Sequence, residues 1–293
     1  MSGTLTLDIA GLAIAVTADA DLPIAAEGSA RKFVRAGTGP EPEVRIHAAW
    51  GEPRVPEGAA LVFDSGKGLW RLYRTAAGLL EIVFTSPALG PAPYQVASFT
   101  SDWRRGRVTL RRAAFAERLP LYPLHYPLDE VFMVHLLAQG LGVEVHAAGV
   151  VTPDGRGLLF AGQSGAGKST LSKLWRAEGG VTVLSDERII LRAEEGGVWM
   201  YGTPWHGEGY IAEPGRARLG RVFLLRQGPQ NALRAVPATE AVARLFACGF
   251  TPFHDARGLD FSLGLLGEVA RLVRCEELTF VPDRTAVDAV LSS

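Results

Sequence analysis

The residues with the clearest chemical capacity in this chain are a lysine and a serine closing a glycine-rich run. Gly162 to Ser169 reads G-Q-S-G-A-G-K-S, a complete match to the phosphate-loop pattern G-x-x-x-x-G-K-[ST]. Gly165 and Gly167 allow positive φ and a close wrap of backbone around an anion. The loop amides and the first turn of a following helix direct N–H groups and partial positive charge at the same point. Lys168 would add a point charge for the outer phosphates, and the Ser169 hydroxyl would hold Mg²⁺. The expected nucleotide-binding set is Gly162, Ser164, Gly165, Ala166, Gly167, Lys168, Ser169 and Thr170. An accidental match within a glycine-rich turn is disfavoured because lysine is scarce, with only Lys32, Lys67, Lys168 and Lys173 in the chain. Downstream, Asp186 and Glu187 follow the apolar run Val181 to Leu184, where an acidic magnesium ligand sits in such sites. His146 lies upstream on a segment of strand character.

These groups need particular elements around them. Leu158 to Ala161 is an apolar run suited to a buried strand, and Lys168 to Ala177 carries Leu171, Leu174 and Trp175 at i, i+3 and i+4 of a helix. Val143 to Val151 reads as a strand, and Pro153-Asp154-Gly155 as a hairpin turn. The loop strand is therefore expected as the second arm of a hairpin, whereas ordinary doubly wound domains enter the loop from a lone parallel strand. A second hairpin, Ile189 to Leu191 with Val198 to Tyr201, delivers the loop Gly202 to Gly209, whose Trp205, His206 and Glu208 are candidates for contacting substrate. Strands are expected at Val222 to Leu225 and Leu278 to Val281. Helices are expected at Pro237 to Cys248, Leu259 to Val273 and Arg284 to Leu291. His254-Asp255 reads as loop, with no serine elbow to complete a hydrolase.

The part before Leu121 reads as strands and turns, with Val44, Ile46 and Ala48 alternating to one side. Arginines 104, 105, 107, 111 and 112 cluster beside Trp103; the readings are a patch for an acidic peptide or phosphate, or the solvated face and tip of a hairpin. Leu128 to Gly140 reads as a helix with His135 on its packed face. Tyr122 to Pro127 is a proline-bounded connection, giving a β-rich domain at 1–124 and a catalytic domain at 125–293.

Composition narrows the partners. A formal charge of -1 over 293 residues gives no electrostatic case for nucleic acid. The two cysteines, Cys248 and Cys275, form no metal-ligand spacing and fit a reducing cytoplasm. No signal peptide and no apolar stretch of about 18 residues is apparent, so neither secretion nor a membrane partner is expected. Asn231 is the sole asparagine, which leaves no Asn-Lys-x-Asp guanine reader, and no Leu-Ser-Gly-Gly-Gln segment follows the loop.

The runs VHAAGVVTPDGRGLLFAGQSGAGKSTLSKLW, VLSDERIIL and YGTPWHG together resemble the catalytic domain of the HPr kinase/phosphorylase family. The likeness is nearest to its shorter relatives, including serine kinases of lasso-type peptides, and the core is shared with phosphoenolpyruvate carboxykinase. The resemblance covers about residues 125–293. It implies an α/β fold: a phosphoenolpyruvate carboxykinase/HPr kinase-like phosphate-loop domain with a mixed sheet, here preceded by a smaller β-rich domain. It also implies ATP and Mg²⁺ as cofactors and transfer to a serine or other hydroxyl of a peptide, protein or small metabolite. The family's assembly implies a homo-oligomer. By position, His146 matches the family histidine before the loop, and Asp186 matches the acid proposed to receive the hydroxyl proton. Glu187 stands where a second aspartate is usual. Thr170 replaces the glutamate of true HPr kinases, and Pro204-Trp205-His206-Gly207 occupies the place of the family's Glu-Ile-Arg-Gly signature, both pointing away from HPr as substrate. The resulting expectation is Asp186, His146 and Lys168 as catalytic residues, with Ser169, Asp186 and Glu187 at the metal. The competing readings are a strand histidine bonded to backbone and a turn or capping aspartate. Two other function classes are a nucleotide-binding regulatory module without transfer and, less favoured for its length, a carboxykinase-type lyase.

Overall fold

A computed structural model describes residues 3–37, 39–66 and 69–292. By packing, the chain divides into two units, Met1–Leu136 and Leu137–Ser293.

The first unit is built on an eight-stranded sheet: β1 (Thr4–Ile9), β2 (Leu12–Ala18), β3 (Val44–Trp50), β4 (Ala60–Asp64), β5 (Trp70–Arg74), β6 (Leu80–Phe84), β7 (Gln95–Phe99) and β8 (Arg105–Leu110). Its spatial order is β1-β2-β3-β8-β7-β6-β5-β4, with β2–β3 and β3–β8 parallel and the other pairs antiparallel. The period-two pattern of β3 does bury Val44, Ile46 and Ala48 on one face. A short α1 (Arg112–Phe115) follows, then α2 (Leu128–Leu137), three residues shorter than the periodicity suggested. By packing, residues 125–136 lie with this unit, because Phe132 stacks on Phe99 at 5.1 Å and His135 on Trp103 at 4.5 Å. His135 is 5% exposed and faces the Val131 carbonyl through Nδ1 at 2.6 Å, a packed core histidine.

The arginine cluster resolves into separate roles. Trp103 turns inward with φ of 61° and is 2% exposed, while Arg105 and Arg107 remain on the exposed side of β8. Arg111 donates to the Leu89 carbonyl at 2.8 Å, and Arg112 pairs with Asp21.

One consequence of this packing concerns acid stability. His125 sits between the rings of Phe115 at 5.1 Å and Tyr94 at 6.2 Å. Burial, and then the charge of Arg118, push its pKa from 6.5 down to about 4. Between those values the unfolded chain takes up a proton that the folded chain refuses, so this stability is complete above 6.5 and is lost as pH falls toward 4. At pH 5 the loss is ~2 kcal/mol. Denaturant melts of the His125→Phe variant should show that much less weakening between pH 7.5 and 5; equal weakening in both proteins would contradict the assignment.

The second unit holds a nine-stranded mixed sheet with helices on both faces: β9 (Val143–Val151), β10 (Arg156–Ala161), α3 (Lys168–Ala177), β11 (Thr182–Ser185), β12 (Arg188–Glu194), β13 (Gly197–Gly202), β14 (Arg216–Gln227), β15 (Ala232–Ala235), α4 (Ala238–Ala247), β16 (Gly249–Phe250), α5 (Ala256–Leu272), β17 (Arg274–Phe280) and α6 (Thr285–Leu291). The expected hairpin is present: β10 runs antiparallel to β9, with Phe160 opposite Ala148. The long β14 pairs β13 through residues 216–218 and β10 through residues 218–224. The order β10-β9-β12-β13-β14 consequently closes on itself, and the parallel β17 extends it beyond β14.

Two apolar layers hold this arrangement. Leu171 and Trp175 of α3 are fully buried with Phe160, Phe223 and the α6 residues Ala286 and Val287. Phe160 stacks on Phe223 at 5.0 Å. Ala241 and Leu245 of α4 and Leu265, Leu266 and Val269 of α5 cover the other face over Leu224 and Val222. Each buried leucine, valine or phenylalanine among them contributes ~2 kcal/mol relative to exposure. The loop between β10 and α3 is thereby anchored at both ends. No helix among the described residues is long and apolar enough to cross a membrane.

Candidate functional site

The glycine loop leaves β10 at Ala161 and enters α3 at Lys168. Gly165 and Gly167 hold φ of 80° and 97°, the left-handed region that other residues avoid. Lys168 folds back over the loop: its Nζ donates to the Gly162 carbonyl at 2.9 Å and the Gln163 carbonyl at 3.1 Å. Gln227, at the end of β14, donates through Nε2 to the Gly165 carbonyl at 2.7 Å. On the other side the Gly162 amide reaches the His146 carbonyl at 3.4 Å. The loop is thus tied to both neighbouring strands. Ser164 and Thr170 are exposed, and Ser169 and Ala166 are partly so.

Strand register brings the other candidates here. β12 pairs β9 with Arg188 opposite His146, which sets Glu187 beside the histidine. His146 Nε2 and Glu187 Oε1 lie 2.9 Å apart, and Arg188 Nη1 meets the same oxygen at 2.8 Å. Arg188 also faces the buried Glu144 at 3.3 Å and lies over the Phe250 ring at 4.1 Å. Burial and then the Lys168 charge push His146 below its ordinary pKa, with Glu187 pulling partly back. Burial alone would raise the Glu187 carboxyl, yet His146, Arg188 and Lys168 together hold it low. Burial likewise lowers Lys168, against the pull of Glu187 and Cys248. The outcome is a neutral histidine donating Nε2–H to an ionised glutamate. That tautomer leaves Nδ1 with a lone pair, and among the described residues nothing bonds to it.

Asp186, the acid expected to receive the proton, is enclosed instead. It is 0% exposed, and its carboxylate accepts the amides of Gly207 at 3.1 Å, Gly209 at 2.7 Å and Ile211 at 3.4 Å. Glycine is required for that approach: a Cβ at Gly209 would stand 2.5 Å from Asp186 Oδ2, and one at Gly207 2.9 Å from Glu187 Oε2. Ser185 completes the turn, its Oγ accepting the Glu187 and Arg188 amides at 3.1 Å each. Of the adjacent acids, Asp186 is spent on the loop amides, whereas Glu187 is partly exposed beside His146 and Arg188.

The candidate substrate loop divides similarly. Trp205 is 9% exposed, and its carbonyl accepts the Ser185 and Thr203 hydroxyls at 3.2 and 3.3 Å, a structural position. His206 packs at 4.9 Å from the ring of Tyr210, and Glu208 is exposed. His254-Asp255 is loop as expected, with Asp255 capping α5 through the Arg257 amide at 3.1 Å. The pattern reading missed Arg188, Phe250 and the paired glycines. Gly207-Glu208-Gly209 was the available signal, since glycines two apart mark close backbone approach.

Among the described residues no cluster of three His, Cys, Asp or Glu is arranged to hold a metal by itself. Of the three expected ligands, Asp186 spends its oxygens on loop amides, Glu187 keeps one oxygen beyond the one that serves His146 and Arg188, and Ser169 is partly exposed. One carboxylate and one hydroxyl fit a Mg²⁺ that arrives on phosphates better than a resident ion.

No protein-family model and no curated protein matches the chain. Among solved structures, the Hpr(Ser) kinase/phosphatase from Coxiella burnetii is similar over 51% of this chain and 93% of that one, at 15% identity and a TM-score of 0.29.

Proposed function

We propose that this chain is an ATP-dependent kinase that transfers the terminal phosphoryl group to a hydroxyl, with serine in a peptide or protein, or a small metabolite, as acceptor. The observation that carries this reading is the His146–Glu187 pair, 2.9 Å apart, set within electrostatic reach of the glycine-loop lysine. A regulatory module has no need of a base beside its phosphate loop. ATP supplies the phosphoryl group; Ser169 and Glu187 would hold Mg²⁺, which when bound would offset the charge of that group. Lys168 and the loop amides orient the phosphates. His146 Nδ1 takes the acceptor's proton as the hydroxyl oxygen forms the new P–O bond and the diphosphate leaves with the electrons of the old one. Glu187 keeps the imidazole in the accepting tautomer. Asp186 keeps the 207–211 backbone beside the pair. The β-rich unit, 1–124 in the sequence division, is assigned to acceptor or partner binding, and a homo-oligomer in the cytoplasm is the working form.

The test begins with labelled ATP and cell extract, in which a labelled acceptor supports transfer and slow hydrolysis alone contradicts it. With the acceptor purified, His146→Asn should lower the rate about tenfold to a hundredfold, the modest end for a base because the transition state is loose. The acid limb of the wild-type rate profile should fall below the ordinary histidine range. Glu187→Gln removes the group that raises His146, so its acid limb should move lower still. An acid limb that moves upward would remove the pair from the mechanism.

A further inference from the structure

Beside the glycine loop lies a cavity of about 460 Å³, bounded by residues 162–166, by the end of β14 and by the end of α4. Its charged lining is arginine: Arg226 from β14 and Arg244 from α4. Both converge on one carboxylate. Arg244 Nη1 meets Glu277 Oε2 at 2.7 Å, and Arg226 Nη1 stands 3.9 Å from Glu277 Oε1. Glu277 belongs to β17, opposite Leu224 in the register with β14, and is 8% exposed. Glu240 adds a second contact to Arg244 at 3.3 Å and holds Arg234 at 2.9 Å. The network therefore contains three guanidinium groups and two carboxylates, leaving one positive charge beside the loop.

A guanidinium has five N–H donors, and its contacts with a carboxylate leave others to project elsewhere. The Arg226 side chain is 69% exposed and that of Arg244 30% exposed, while their shared carboxylate is only 11% so. The carboxylate is the fixed point and the arginines are the groups that can reach a ligand. The Gln227 bond to Gly165, at 2.7 Å, holds the chain next to Arg226 against the loop. Two arginines in one cavity with an anion-binding loop match a phosphate carrying two negative charges.

We propose that Arg244 and Arg226 form a guanidinium clamp on the terminal phosphate of the bound triphosphate, with Glu277 setting their position. The clamp rests on the nucleotide reading above and adds a property to it: discrimination of a triphosphate from a diphosphate. It also supplies positive charge where the phosphoryl group is transferred.

The test is calorimetric titration of wild type, Arg244→Gln and Arg226→Gln with ATP and with ADP, each with Mg²⁺, alongside thermal melts. The clamp predicts that Arg244→Gln weakens ATP by about tenfold or more and ADP by less than about twofold, with Arg226→Gln moving the same way. Folded variants that keep the wild-type ratio of ATP to ADP affinity overturn it. Equal weakening of both nucleotides overturns the assignment to the terminal phosphate. Should Arg244→Gln fail to fold, the exposed Arg226 decides alone. A wild type that binds neither nucleotide defeats the kinase reading itself, a different result from a wild type that binds both while the variants do not change.

Discussion

Replacing Lys168 by methionine is expected to lower phosphoryl transfer by ~10³-fold, the upper range for removing one group that stabilises developing charge. Two effects combine in this residue. Its ammonium is the closest fixed positive charge the glycine loop owns, and its Nζ also clips the carbonyls of Gly162 and Gln163 at 2.9 and 3.1 Å. Methionine retains an apolar stem at the start of α3 but neither donates nor carries charge. The loop should consequently relax, and ATP affinity should weaken along with the rate. Arginine should not rescue, since a planar fork cannot occupy a site 4% exposed and shaped for a compact ammonium. The variant's melting temperature is the control. Burial already disfavours the charged form of Lys168, which offsets part of the lost carbonyl bonds, so stability should fall modestly while transfer collapses. Transfer within threefold of wild type would exclude Lys168 from the chemistry.

Asp186→Asn should have the second largest effect, by a different route. The carboxylate accepts amides from Gly207, Gly209 and Ile211, and asparagine presents one oxygen and one NH₂ to the same donors. At least one amide then faces a donor in a fully buried site. A hydrogen bond to a charged group contributes ~1.5–3 kcal/mol, so losing one costs about that much, and losing two ~3–6 kcal/mol, of a typical 5–15. The 207–211 loop should detach and transfer should fall by several hundredfold, ~10²–10³, with ATP still bound because the glycine loop is untouched. Gly209→Ala provides the complementary perturbation. It keeps the carboxylate but places a methyl group 2.5 Å from Oδ2, and overpacking of that kind costs ~1–3 kcal/mol. If Asp186 instead served mainly as the base, Asp186→Asn would lower the rate and leave the melting temperature intact. Calorimetric melts of both variants separate these outcomes.

The loop, its strand and its helix were legible in the sequence because their information is local. The i, i+3, i+4 spacing of Leu171, Leu174 and Trp175 marks the helix bounds observed for α3, and Pro153-Asp154-Gly155 marks the turn between β9 and β10. What depends on register was not legible. The contact of His146 with Glu187 exists because Arg188 pairs across from His146, a choice made by strands many residues apart. The enclosure of Asp186 uses backbone amides, which carry no residue type for a pattern to detect. Trp103 stands among arginines in the sequence, yet it points inward because its positive φ turns it toward Phe99 and His135. The parallel pairing of β2 with β3 and β3 with β8 likewise follows from long connections. Arg226, Arg244 and Glu277 come from three separate elements and meet only at the sheet's end.

The most direct measurement is titration of the purified chain with ATP in the presence of Mg²⁺, repeated on Lys168→Met. Saturable heat is expected for the wild type and at least about tenfold weaker binding for the variant. Absence of heat with ATP, ADP and GTP alike would contradict the kinase reading.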